Sequence, residues 1–163
     1  MANLEMSLKT KLKNARRVLI LGVGAELRAD DAAGLICAQS IGKAVKGKKT
    51  KARIKVLLGS TAPENLTGQI KDFAPTHLII IDAADLQTKP GTIRILPRED
   101  INNASFSTHR MPLKIMLSYL DHFLKCEMIV IGIQPKSTEY TASCSPIVDK
   151  SVKQLAKIIS GLI

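Results

Sequence analysis

His77-Leu-Ile-Ile-Ile-Asp82 is aliphatic at every position between its polar ends. A strand with one face in water alternates apolar and polar residues, so an unbroken aliphatic run predicts a parallel strand covered on both faces. Arg17-Val-Leu-Ile-Leu-Gly22 reads the same way, and Ile54-Lys-Val-Leu-Leu58 supplies a third strand. Between them lie helical patterns, one from Asp31 to about Val45 with Leu35, Ile36 and Ile41, and a shorter one from Pro63 to Phe73. Strand, helix, strand, helix, strand is the order of a parallel α/β sheet.

The second half adds a strand Thr92-Ile-Arg-Ile-Leu96 after the Lys89-Pro-Gly91 turn, a helix from about Pro112 to Leu124, a strand Met128-Ile-Val-Ile-Gly-Ile133, and a helix from about Pro146 to Ile163. Asp82 to Thr92 is too short for a parallel crossover, which predicts that the 92–96 strand returns antiparallel. The expected architecture is α/β: a single domain, a three-layer sandwich whose twisted, mostly parallel sheet carries one antiparallel strand and helices on both faces. That domain spans residues 17–163, preceded by a basic extension of residues 1–16 in which Asn3 to Lys13 has a short helical pattern.

The chain has 163 residues, 45% of them apolar, enough for one core. No apolar run reaches the roughly 18 to 20 residues of a membrane span, and residues 1–17 contain no apolar signal core, so a cytoplasmic protein without membrane contact is expected. Cys37, Cys126 and Cys144 are odd in number and form no C-x-x-C pair, which predicts packed thiols rather than disulfides, zinc ligands or a nucleophile. The net charge of +10 is concentrated, because residues 1–55 hold 13 basic and 4 acidic side chains. Its densest part, Lys43 to Lys55, is expected to be a solvated helix end and loop, with attraction to phosphates or an acidic protein surface as the alternative. With two Tyr, three Phe and no Trp to stack on bases, nucleic-acid binding is not expected.

Ligands of open α/β sheets gather beyond the carboxyl ends of the strands. The polar residues there are Gly22-Val-Gly-Ala-Glu-Leu-Arg-Ala-Asp-Asp31, Asp82-Ala-Ala-Asp85 and Gln134-Pro135, while Ser105-Phe-Ser-Thr-His109-Arg-Met-Pro112 leads into a helix and supplies an imidazole. Gly22-Val-Gly24 lacks the third glycine of a dinucleotide fingerprint, since Leu27 stands there, and Leu58-Gly-Ser ends the second strand without a ribose-binding acid. No organic cofactor is expected. The glycines are read instead as bringing Glu26, Asp30 and Asp31 over the sheet end, one aspartate as a helix cap and the other facing the cleft. Asp82 ends an apolar strand, so its carboxylate needs a hydrogen bond, a cation or water. His77 is read as a strand edge and His122 as an exposed helix residue. Two carboxylates and an imidazole would make an acid/base cleft or an oxygen/nitrogen site for a divalent transition metal. These residue types name neither the metal nor the substrate.

Six stretches taken together resemble the nickel-iron hydrogenase maturation peptidases: Leu19 to Gly34, Gly59-Ser-Thr-Ala-Pro-Glu-Asn65, Leu78 to Asp85, Pro90-Gly-Thr-Ile-Arg94, Ser107-Thr-His-Arg-Met-Pro-Leu113 and Gly132-Ile-Gln-Pro135. They run in family order, and the second, fifth and sixth look most like the branch that processes the large subunit of hydrogenase 3, the formate-hydrogenlyase enzyme. The resemblance implies an endopeptidase, classed with aspartic-type peptidases. It would remove a short C-terminal extension from the large-subunit precursor after nickel insertion, using substrate-bound nickel as recognition element. It also implies that Asp31, Asp82 and His109 are the metal-contacting and catalytic positions. The base is not assigned, with Asp31 the first candidate. Nickel is then supplied by the precursor, the partner is that nickel-loaded precursor, and a monomer is expected. A non-catalytic chaperone that binds nickel or the precursor on the same fold is the alternative. Two positions depart from the family pattern: Ala25 stands where Asn is usual, and Ala32 where a Gly follows the paired aspartates.

Overall fold

In a computed structural model that describes residues 2–97, 110–141 and 143–163, the aliphatic runs form the interior strands of one five-stranded sheet. Strands β1 (Arg17–Val23), β2 (Arg53–Ser60), β3 (His77–Ala83), β4 (Ile93–Leu96) and β5 (Glu127–Ile133) lie in the order β2-β1-β3-β5-β4. All neighbouring pairs are parallel except β4 with β5. The expected reversal of the fourth strand is therefore present. Strand β3 sits at the centre, and every one of its residues is buried, which explains why its sequence shows no alternation.

Alternate side chains of the strands feed two apolar clusters. Val18, Ile20, Ile79 and Ile81 face helices α1 (Ala2–Lys11), α2 (Ala33–Val45) and α5 (Pro146–Leu162). Leu19, Leu21, Leu78 and Ile80 face α3 (Thr67–Phe73) and α4 (Arg110–Phe123). Helices thus cover both faces, as the expected three-layer arrangement requires.

Residues 1–16, set apart in the sequence as a basic extension, contain α1, and Leu8 and Leu12 of this segment enter the first cluster. The segment is tied further by an ion pair of 2.8 Å from Lys11 to Glu127 and by His77, whose Nε2 bonds the Lys11 carbonyl at 3.0 Å. His77 is accordingly buried at the start of the central strand, not at a strand edge, because helix α1 covers that end of β3. The run Lys43 to Lys55 forms the end of α2, a loop and the start of β2, at the amino end of the sheet. Its Lys43, Lys46, Lys48, Lys49 and Lys51 are exposed, as a solvated helix end and loop should be. No helix among the described residues is long and apolar enough to cross a membrane.

Leu8→Ala is expected to lower unfolding free energy by about 2–4 kcal/mol, measured by urea denaturation, because it empties a buried site beneath α1. An unchanged midpoint would show that α1 contributes nothing to the core.

Candidate active site

Asp30, Asp31 and Asp82 lie where α2 meets the carboxyl ends of β1 and β3. A side chain at Gly34, in the first turn of α2, would collide with the carbonyl oxygens of Ile81 and Val23, so the helix starts in direct contact with both strand ends. Gly24 has φ +144°, and a Cβ there would strike the carbonyl of Asp31. Hydrogen atoms in place of side chains at these two positions let the loop after β1 fold back on itself. It does so through a 3-10 turn, Ala29–Ala32, that holds both aspartates and packs against the end of β3.

Asp31 and Asp82 are each almost fully enclosed, at 1% and 2% exposure. Asp31 Oδ2 accepts a hydrogen bond from the backbone N–H of Ala25 at 3.2 Å, across the turn that Gly24 makes possible. Asp82 is paired in register with Gly132 of β5, and strand alternation puts its side chain on the same face as Leu78 and Ile80. That is the face covered by α3 and α4. Asp82, near the end of β3, and Asp31, in the turn that packs against β3, therefore lie at the same end of the sheet. His109 lies outside the described residues, immediately before the first described residue of α4. Among the described residues no group of three His, Cys, Asp or Glu side chains could hold a metal ion.

Asp30 does something the sequence reading missed. It caps neither the 3-10 turn nor α2, since both lack a side-chain cap bond. Instead its carboxylate, at 0% exposure, takes Oδ2 bonds from Lys136 N at 2.8 Å and Ser137 N at 3.1 Å. Its Oδ1 takes bonds from Ser145 N at 2.6 Å and the Cys144 thiol at 3.2 Å. Burial pushes the Asp30 carboxyl up, but the bonds from Ser145, Lys136, Cys144 and Ser137 together outweigh it and hold the group below the usual carboxylate range. This clamp fastens the loop after β5 to the turn that carries Asp31. No local pattern announces it, because its donors lie more than a hundred residues away in the chain.

The remaining candidates divide clearly. Glu26 is exposed and is not gathered in with the aspartates, because it sits at the tip of the turn closed by the bond from Arg28 N to the Ala25 carbonyl. Gln134 is structural: its Oε1 accepts from Leu86 N at 2.7 Å and Thr88 N at 3.3 Å, pinning the loop after β3 to the end of β5. Asp85 joins that loop by accepting from Gln87 N at 3.0 Å. His122 is exposed, bonded at 2.7 Å to the Ser118 carbonyl of its own helix. Cys37 is a core residue whose thiol is pushed up to about 12 by burial, and Cys144 reaches about 12 through burial and then the adjacent Asp30 carboxylate. Neither is a nucleophile near neutral pH. A further carboxylate escaped the sequence reading. Glu64, in a 3-10 turn directly after β2, has Oε2 buried and accepting no hydrogen bond. The rule that polar residues follow strand ends would have found it, had the search after β2 run past Ser60.

Removing the charge at Asp30 tests the clamp. Asp30→Asn is expected to lose about 2–3 kcal/mol at pH 7, because at least one buried donor is left facing an amide N–H₂. The folded carboxyl titrates below the unfolded one, so its contribution is complete above the unfolded pKa and fades as pH falls through the folded value. Urea melts of both proteins should therefore draw together as pH is lowered from 5 through 3. A gap that stays constant over that range would refute the assignment.

Comparison with known proteins follows the same outline. A family model described as hydrogenase maturation protease matches residues 38–162. A relative from Methanocaldococcus jannaschii, named as a hydrogenase maturation protease, is 36% identical over 158 residues, covering 93% of this chain and 94% of its own. The hydrogenase 3 maturation protease of Escherichia coli is 37% identical over 118 residues, 72% of each chain. The crystal structure of a hydrogenase maturation protease from Thermococcus kodakarensis superposes with a TM-score of 0.83 at 27% identity, covering 96% of this chain and 97% of that one. With the sheet order, the buried carboxylates and a match that spans most of its length, this chain belongs to the hydrogenase maturation proteases.

Proposed function

We propose that the bond cut by this protease is the one that joins a short C-terminal extension to the precursor of a nickel-iron hydrogenase large subunit, and that cutting waits for nickel insertion. The observation that carries this reading is the pair of enclosed carboxylates, Asp31 in the 3-10 turn that follows β1 and Asp82 near the end of the neighbouring parallel strand β3. Carboxylate oxygens gathered at one end of a sheet are suited to a divalent metal that the substrate presents. His109 is the third group in this proposal, since carboxylate and imidazole together suit a divalent transition metal. Nickel belongs to the substrate here, held by precursor cysteines. The protein acts as a monomer in the cytoplasm, where the precursor is made.

Hydrolysis adds water across the peptide bond: oxygen attacks the carbonyl carbon, the C–N bond breaks, and the amine leaves with a proton. Asp31 is the leading candidate to take the proton from water, because Ala25 N–H fixes one of its oxygens and so fixes the direction of the other. Asp82 and His109 hold the metal and thereby the chain attached to it. Anchoring a flexible tail at a fixed distance from the carboxylates supplies orientation, which in oriented systems is a large part of the rate gain.

The test is mass spectrometry of a large-subunit precursor, nickel-loaded and nickel-free, after incubation with the protein and its variants. Loss of a C-terminal peptide from the loaded precursor alone is expected, with Asp31→Asn or His109→Ala slowing it by about 100-fold or more while the fold persists. Binding of the loaded precursor without cleavage would identify a maturation chaperone instead. Cleavage of both precursors alike would remove nickel from the recognition step.

A further inference from the structure

The turn after β2 carries a carboxylate to which the fold supplies no donor. Glu64 lies in the 3-10 turn Pro63–Leu66, and its Oε2 is enclosed yet accepts no hydrogen bond and pairs with no Lys or Arg among the described residues. Asp30 shows the contrast, since four donors reach its two oxygens. An enclosed carboxylate oxygen without a donor is costly, so it is completed by a group from outside the chain. Glu64 as a whole is only half-buried, and such a group can reach it from the surface.

The packing of this turn fixes which side of the sheet it serves. A Cβ on Gly59 would meet Pro63 Cβ at 2.9 Å and Leu21 Cδ1 at 3.2 Å, so the turn folds back over the end of β2 on the face to which Leu21 points. Leu66 of the same turn packs into the cluster of Leu19, Leu21, Leu78 and Ile80. That is the face on which strand alternation puts the Asp82 side chain. The turn packs against α4 as well, and Gly24 N donates to the Ser60 carbonyl at 3.0 Å, tying the end of β2 to the loop that leads to Asp31. Strands β2 and β3 flank β1, which sets them about 10 Å apart. Asp31, Asp82 and Glu64 do not group as three ligands of one ion. Glu64 is therefore a separate acceptor, at the same end and on the same face as Asp82.

We infer that Glu64 receives a basic side chain of the precursor, a Lys ammonium or an Arg guanidinium, that lies within about three residues of the scissile bond, because an extended peptide advances about 3.3 Å per residue. The inference rests on the proposed function and deepens it. A cation is favoured over a neutral donor, since the carboxylate has no counter-charge from the described residues of its own chain and a charge-assisted bond is roughly twice as strong as a neutral one. Nickel is the same in every loaded precursor, so a charge read at one peptide position lets the protease select between precursors.

The test pairs the parent chain and Glu64→Gln with a nickel-loaded precursor that has Lys or Arg in that window, and with the same precursor in which those basic residues are changed to Gln. Glu64→Gln keeps the size of the side chain and removes its charge. KM of this variant is expected to rise by about tenfold or more with kcat within about twofold, the signature of lost uniform binding. The precursor change should raise KM of the parent by the same factor and add nothing to that of Glu64→Gln, the non-additivity of a direct pair. Precursor binding to the Asp31→Asn chain, with and without Glu64→Gln, should show the same coupling apart from any effect on chemistry. Additive effects, or a KM that Glu64→Gln leaves unchanged, overturn the inference and leave the proposed function standing. Equal cleavage of a precursor with no Lys or Arg in the window does the same. Loss of stability in Glu64→Gln without coupling to the precursor would assign the carboxylate to a buried water, and so overturn it. A parent that neither cleaves nor binds the loaded precursor overturns both.

Discussion

Backbone lies directly on backbone where α2 meets the ends of β1 and β3, and the site depends on that contact. Any side chain at Gly34 would run into two strand-end carbonyls, and any at Gly24 into the turn that carries the aspartates. With both absent, the helix begins at the sheet end instead of one turn away from it. The loop between strand and helix is then short enough to fold back, and its carboxylates are enclosed rather than solvated. Burial follows from the close approach, and the electrostatics follow from burial.

Three carboxylates within this region have different work because their donors differ. Asp30 spends both oxygens on groups of the loop after β5 and is held ionised by them. A charge so fully bonded inside the fold is a structural fastener. Asp31, its immediate neighbour in the chain, receives the Ala25 N–H instead, within a turn that packs against β3. Asp82 comes from the sheet itself, where β3 is locked between β1 and β5. The fastener thus keeps the turn rigid, and the turn keeps Asp31 at a fixed position relative to a strand that cannot move. Preorganisation of this kind holds a carboxylate at a set place without reorganisation when a substrate arrives.

The molecule is also polarised end to end. The carboxylates and the exposed Leu27 and Tyr140 occupy the carboxyl end of the sheet, whereas the excess lysines lie on the loop before β2 and on α1 at the amino end. The second end is a solvated cationic surface.

The fold was legible in the sequence because burial on both faces leaves a signature that no other strand environment produces. The aliphatic runs of β1 and β3, the short span between Asp82 and Thr92, and the helical periods between strands determined the layer order and the single antiparallel strand. That Asp82 would be enclosed was legible too, from a carboxylate at the end of an apolar run. Tertiary structure alone decided which of the paired aspartates is a fastener, since the donors to Asp30 come from the far end of the chain and helix-cap preference pointed to a local partner that is not there. It alone decided that His77 is buried, because α1 returns to cover the start of β3. It alone brought Thr141 beside Arg28, through a bridge between loops that no periodicity records. Period and composition report what each residue needs from its surroundings, and only the folded chain determines which distant group supplies it.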